Sequence, residues 1–125
     1  MAHVLVVDDD DSFRTLLTTM LESLGHHASV AADGEEALGV VRETTPDLIL
    51  LDLVMPRKGG IETIMSLASG AHRIPVVVTS ASIADGDESI PRLVKRYGAK
   101  AVLPKPFNRD RLAGPDEAAR ILQDE

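Results

Sequence analysis

Polar residues that can do phosphoryl chemistry follow short apolar runs in this sequence. The set is Asp8, Asp9, Asp52, Ser80 and Lys105. Carboxylates held together repel one another and need a counter-charge, which the hard, oxygen-preferring cation Mg²⁺ can supply. Beside such an ion Asp52 can act as a nucleophile toward phosphorus, with Lys105 pairing with one phosphoryl oxygen and the Ser80 hydroxyl donating to another. The residue types therefore predict phosphoryl transfer onto Asp52.

The elements that must bring these residues together are visible as two alternating periodicities. Wholly apolar runs, typical of strands buried on both faces, alternate with segments of helical spacing. Strands are predicted over 4–7, 27–32, 48–52, 76–80 and 101–103. Helices are predicted over 13–24, from residue 35 onward, over 61–67 and 88–97, and over 116–123 after a break at Gly114 and Pro115.

This βα repeat predicts an α/β fold, in which a parallel sheet is covered by helices on both faces. Ligands of such sheets bind at the carboxyl ends of the strands, so the five polar residues are expected to meet at one edge. At least one aspartate of the run 8–11 should instead cap the following helix. Asp10 or Asp11 is predicted to be that cap, which leaves Asp8 and Asp9 for a metal ion.

Composition excludes several classes of protein. The net charge of −7 argues against a nucleic-acid surface, and the absence of cysteine excludes disulfides and thiolate metal sites. No apolar run approaches the roughly 20 residues that span a membrane, and the first residues do not form a signal peptide. A cytoplasmic protein without membrane or nucleic-acid partners is therefore predicted. The four histidines have no ligand-like spacing and are assigned surface or edge positions.

Several short motifs match one family in order and spacing. They are Val-Val-Asp-Asp at 6–9, Pro-Asp-Leu-Ile-Leu-Leu-Asp at 46–52, Met-Pro at 55–56, Gly60, Pro-Val-Val-Val-Thr-Ser-Ala at 75–81, Gly-Ala at 98–99 and Lys-Pro-Phe at 105–107. With these motifs the chain resembles the receiver domain of bacterial two-component response regulators over nearly its whole length. The resemblance implies a single receiver domain over 1–125 with the flavodoxin-like, doubly wound five-stranded sheet, strand order 2-1-3-4-5.

The resemblance also implies a function and partners. It implies that a histidine kinase or a histidine phosphotransfer protein phosphorylates Asp52, and that the altered surface binds a downstream effector protein. Asp9 and Asp52 are implied to bind Mg²⁺ directly, with Asp8 assisting and the backbone carbonyl of Val54 as a further ligand. Ser80 is implied to follow the phosphoryl group. Whether phosphorylation also produces a homodimer is left open.

Some positions depart from the family pattern. Val102 replaces the usual aromatic residue three positions before the lysine, and Gly59 replaces a frequent acidic residue. The segment between Ser80 and Lys105 is a few residues longer than is common. Val54 lies where many relatives carry a polar side chain that orients the hydrolytic water, so slow self-dephosphorylation is predicted, accelerated by Val54→Asn.

Two other functions fit part of the sequence. A haloacid-dehalogenase-type phosphatase would use Asp8 and Asp10 after the first strand, although Asp52 would then have no role. A degenerate receiver would act as an interaction module without phosphorylation, in keeping with Val102 and Gly59. All five residues needed for phosphorylation are present, which weighs against the interpretation as an interaction module.

Overall fold

The computed structural model describes residues 2–53, 59–68, 74–80 and 88–105. In chain order the elements are β1 His3–Val7, α1 Asp11–Ser23, β2 His27–Ala31, α2 Gly34–Thr44, β3 Leu48–Asp52, α3 Gly60–Ala68, β4 Val76–Ser80, α4 Ser89–Arg96 and β5 Ala101–Pro104. The predicted last helix over 116–123, and the break at Gly114 and Pro115, lie outside the described residues.

The five strands form one parallel sheet in the order β2-β1-β3-β4-β5. This confirms the predicted flavodoxin-like arrangement. The interior strands β3 and β4 are buried along their whole length, as expected where helices cover both faces of a sheet. β2 lies at an edge and is only partly buried.

Alternate residues of the interior strand β1 pack into different cores. Leu5 and Val7 of β1 belong to a core that also contains Ala37 of α2 and Ile64 of α3. Val4 and Val6 belong to a second core, which contains Leu17 and Leu21 of α1. Burying a side chain such as Leu50 stabilises the fold by about 1.5–3 kcal/mol. The sheet is thus fixed on both faces, and the ends of its strands have defined positions.

The ends of the first helix follow from local chemistry. α1 begins at Asp11, two residues before the first apolar position of its pattern, because the Asp10 side chain accepts hydrogen bonds from the amides of Ser12 and Phe13. Asp10 is therefore the cap, one of the two candidates from the sequence. Gly25 follows the other end of α1 with a φ of 89°, a positive value that glycine adopts without steric cost.

Among the described residues, no helix combines the length and the apolar character needed to cross a bilayer.

Candidate functional site

The carboxyl ends of four neighbouring strands carry the predicted polar residues. Asp8 follows β1, Asp52 is the last residue of β3, and Ser80 is the last residue of β4. Lys105 follows β5. Chain connections leave β1 and β3 in opposite directions across the sheet, so the site lies at the topological switch point where α/β proteins bind ligands.

Three carboxylates meet at this edge. Oxygen atoms of Asp8, Asp9 and Asp52 all lie within 4.8 Å of one another. Asp8 and Asp52 are buried, whereas Asp9 is exposed. An all-oxygen donor set with one solvent-facing member matches the requirements of Mg²⁺, which keeps several water ligands. The residues present therefore fit a magnesium ion.

The Lys105 side chain enters the same cluster. Its ammonium lies 2.7 Å from Oδ2 of Asp8 and 3.6 Å from Oδ1 of Asp52. Its backbone amide donates to the carbonyl oxygen of Ser80 at 2.9 Å. Hence the end of β5 is tied to the end of β4, and the lysine is held beside both buried carboxylates.

Asp8 takes part in four hydrogen bonds. Its amide donates to the Ala31 carbonyl at 3.1 Å, and its own carbonyl accepts from Nη1 of Arg14 at 2.6 Å. Its Oδ1 accepts from the amide of Asp10 at 2.9 Å, while Oδ2 accepts from Lys105. Because both carboxylate oxygens already accept hydrogen bonds, Asp8 is a rigid neighbour of the other two acids.

The role of Asp10 bears on the phosphatase alternative. Its Oδ1 accepts from the amide of Ser12 at 2.9 Å and from that of Phe13 at 3.2 Å. A carboxylate committed to a helix N-terminus is poorly placed to act as the second catalytic acid beside Asp8. This geometry weighs against the phosphatase interpretation.

The backbone after Asp52 is packed tightly against the start of α3. A Cβ atom on Gly60 would lie 2.2 Å from the carbonyl oxygen of Leu53, far inside van der Waals contact. A Cβ atom on Gly59 would have no neighbouring atom within 4 Å. Thr63 donates to the Gly59 carbonyl from both its amide, at 3.0 Å, and its hydroxyl, at 2.8 Å. A glycine is therefore required at 60 and not at 59.

The structure brings Asp8, Asp9, Asp52 and Lys105 together in one cluster, and it places Ser80, which is buried, on the adjoining strand end. In the sheet register Thr79 is the partner of Asp52, so Ser80 lies one residue further along. Val54, the predicted backbone ligand, lies outside the described residues. Val102 is partly buried against the core shared by α2 and α3.

Sequence reasoning missed two residues of α1. Phe13 is only the first residue of the helix predicted from the sequence, yet its ring centroid lies 4.2 Å from the Lys105 ammonium. Arg14, which was given no role, is held by an ion pair with Asp11 and reaches the Asp8 carbonyl. The available signal was the cap at Asp10, since a helix that starts at the sheet edge presents its first turn to the site.

Comparisons with known proteins agree on one family. Residues 4–114 match the family model of the response regulator receiver domain. The transcriptional regulatory protein CpxR of Escherichia coli strain K12 is 42% identical over 108 residues, which are 86% of this chain and 44% of that protein. The chain thus spans less than half the length of this curated relative.

Solved structures give the same result. The receiver domain of the Francisella response regulator 1452 superposes with a TM-score of 0.84 at 29% identity, covering 98% of this chain and 95% of that one. The chemotaxis protein CheY4 of Vibrio cholerae gives a TM-score of 0.84 at 29% identity, covering 99% and 98%.

Proposed function

The chain belongs to the response regulator receiver domain family, and we propose that it is a phosphorylation-dependent switch in which Asp52 accepts the phosphoryl group. The observation that carries the proposal is the position of the Lys105 ammonium between Asp8 and Asp52, beside the exposed Asp9. We extend this assignment to the whole chain, 1–125, as one receiver domain.

We assign the acidic residues different roles toward Mg²⁺. Asp9 and Asp52 are the proposed direct ligands, together with the Val54 carbonyl implied by the family resemblance. Asp8 is assigned an assisting role and not that of a direct ligand, because both of its carboxylate oxygens already accept hydrogen bonds. Mg²⁺ at this position would supply positive charge to the phosphoryl oxygens.

The proposed phosphoryl donor is a phosphohistidine of a histidine kinase or of a histidine phosphotransfer protein. A carboxylate oxygen of Asp52 attacks phosphorus, the O–P bond forms, and the P–N bond of the donor breaks. The electron pair of that bond returns to the imidazole nitrogen. Lys105 pairs with a phosphoryl oxygen, and the Ser80 hydroxyl donates to another.

The proposed output follows from the contact between two strand ends. The Lys105 amide is bonded to the Ser80 carbonyl, so a shift of either residue toward the phosphoryl group moves the end of both β4 and β5. We propose that a downstream effector protein binds the face altered in this way. A nucleic-acid partner is not proposed for this chain, given its net charge of −7.

The test is phosphorylation by a small donor, read as intact mass. Wild type, Asp52→Ala and Asp10→Asn are incubated with acetyl phosphate and Mg²⁺, and again with a chelator. One phosphoryl adduct is expected on wild type and on Asp10→Asn, whose asparagine still caps α1. No adduct is expected on Asp52→Ala or in chelator.

Other outcomes separate the alternatives. An adduct that persists on Asp52→Ala would mean that another residue is the acceptor. The absence of any adduct on wild type would favour the interaction module. Hydrolysis of a small phosphoester that is lost in Asp10→Asn but kept in Asp52→Ala would favour the phosphatase.

A further inference from the structure

The Lys105 ammonium has a third neighbour besides the two buried carboxylates. The ring centroid of Phe13 lies 4.2 Å from Nζ, well within the range of about 6 Å for a cation–π contact. The lysine side chain is only 17% exposed, so the ring occupies space that solvent would otherwise take. The ammonium is therefore bounded by Asp8, Asp52 and an aromatic face.

The ring itself is held in a fixed position. Phe13 lies in the first turn of α1, where its amide donates to the cap residue Asp10 at 3.2 Å. Its side chain packs against the core that contains Val4, Val6 and Leu17. The ring therefore has little freedom to turn away from the lysine.

An aromatic ring differs from the carboxylates in one respect that matters here. It attracts a cation through its quadrupole but carries no net charge. It can therefore hold the ammonium at the site without fixing it to Asp8, which forms the shorter ion pair, or to Asp52. An aliphatic side chain would fill the same volume but would leave the position of the ammonium to the carboxylates alone.

We propose that Phe13 is a positioning residue for Lys105, whose ring keeps the ammonium between Asp8 and Asp52 so that it can reach the phosphoryl group on Asp52. The expected effect on phosphorylation rests on the proposed function, whereas the contact between Phe13 and Lys105 can be tested without phosphorylation. In this role the ring acts on the reaction through the lysine.

The first measurement is the NMR signal of the Lys105 ε-methylene group, assigned by its loss in Lys105→Arg. The group lies near the face of a ring, so its protons are expected upfield in wild type. They should return toward ordinary lysine values in Phe13→Leu and stay upfield in Phe13→Tyr. Unchanged shifts in Phe13→Leu would overturn the inference, whatever the outcome of the phosphorylation test.

The second measurement is the rate of Asp52 phosphorylation by acetyl phosphate at saturating Mg²⁺. Loss of one cation–π contact should slow Phe13→Leu about two- to fivefold. Phe13→Tyr should recover the wild-type rate. The matched control is Met20→Leu, on the same helix and against the same core, which should leave the rate unchanged.

A merely structural role would give a different pattern. Mg²⁺ affinity, measured by calorimetric titration, should be the same in Phe13→Leu as in wild type, because the ring acts on Lys105, which is not one of the proposed Mg²⁺ ligands. Equal slowing in Phe13→Leu and Met20→Leu, or weaker Mg²⁺ binding in Phe13→Leu alone, would contradict the assignment.

Discussion

The Lys105 ammonium makes its shorter ion pair with Asp8, at 2.7 Å, and not with Asp52, which lies 3.6 Å away. The proposed acceptor is therefore the second partner of the lysine. Because the Asp8 side chain is 1% exposed, its charge depends on this pair and on the amide of Asp10 for compensation. Asp8 and Asp9, although adjacent in sequence, should for this reason respond differently to mutation.

We predict that Asp8→Asn lowers the free energy of unfolding in chelator. Asparagine offers one acceptor oxygen where Asp8 uses two, so either the Asp10 amide or the Lys105 ammonium loses its hydrogen bond to residue 8. The expected net loss is about 1–2 kcal/mol, since a hydrogen bond to a charged group is lost and some carboxylate repulsion is relieved. Urea unfolding followed by circular dichroism measures it.

The matched variant is Asp9→Asn, which should raise stability under the same conditions. Asp9 is exposed and lies within 4.8 Å of two other carboxylates, so its removal relieves repulsion and leaves the Lys105 pair intact. If Asp9→Asn destabilised the protein as much as Asp8→Asn, the difference in role assigned to the two residues would be wrong.

We predict that Mg²⁺ stabilises the folded protein through the same cluster. A ligand that binds only the folded state at 100 times its Kd adds about 2.7 kcal/mol. Thermal unfolding in MgCl₂ and in chelator, at equal ionic strength, should show this as a higher Tm with Mg²⁺. The increase should be lost in Asp9→Asn and kept in Asp10→Asn. A wild-type Tm that does not respond to Mg²⁺ would contradict the metal assignment.

The part of the site that could be predicted from the sequence is the part that the order of the strands determines. Asp8, Asp52 and Ser80 were placed correctly at strand ends, because a buried parallel strand is a wholly apolar run whose last residue is easy to see. Once the strand order is 2-1-3-4-5, these ends must be neighbours. The predicted sheet was confirmed for the same reason.

Contacts between side chains could not be obtained in this way. The ring of Phe13 and the guanidinium of Arg14 reach the site because α1 begins at Asp11, and the start of a helix depends on its cap and not on its apolar spacing. Asp33 likewise is buried and caps α2 by accepting from the Glu36 amide at 3.0 Å. Both capping residues are visible in the sequence, but an aspartate can equally be a turn residue or a metal ligand, and the sequence alone does not decide between these roles.

We predict that Gly60→Ala both destabilises the protein and slows phosphorylation of Asp52. The added Cβ would lie 2.2 Å from the Leu53 carbonyl oxygen, so the backbone next to Asp52 has to move. Overpacking of this kind costs about 1–3 kcal/mol. Urea unfolding and the acetyl phosphate assay measure the two effects.

The neighbouring glycine supplies the control for this substitution. Nothing lies within 4 Å of a Cβ on Gly59, so Gly59→Ala should change stability by no more than about 0.5 kcal/mol. Its phosphorylation rate should match wild type, because the hydrogen bonds from Thr63 use the backbone carbonyl at 59. Equal effects of the two substitutions would refute the steric argument.

The opposite end of the sheet predicts a pH dependence that is separate from the site. Nδ1 of His26 accepts a hydrogen bond from the Ala2 amide at 3.0 Å, which only the unprotonated nitrogen can do. Burial lowers the pKa of His26 below 6.5. The unfolded chain therefore binds more protons than the folded protein between pH 6.5 and the lower, folded value. The free energy of unfolding should consequently fall as the pH decreases through 6.5.

His3 adds to the same dependence. Its pKa is lowered chiefly by burial and also by the nearby His27, while Asp47 opposes the shift. We predict that His26→Asn, in which the amide oxygen can still accept from Ala2, flattens the decrease in stability between pH 7 and 5.5 but does not abolish it. Urea unfolding at several pH values in chelator gives the slopes for wild type and variant. Carboxylates titrate at lower pH and contribute alike to both proteins, so the difference between the slopes reports on His26. Identical slopes would show that the hydrogen bond from Ala2 does not depend on the charge of His26.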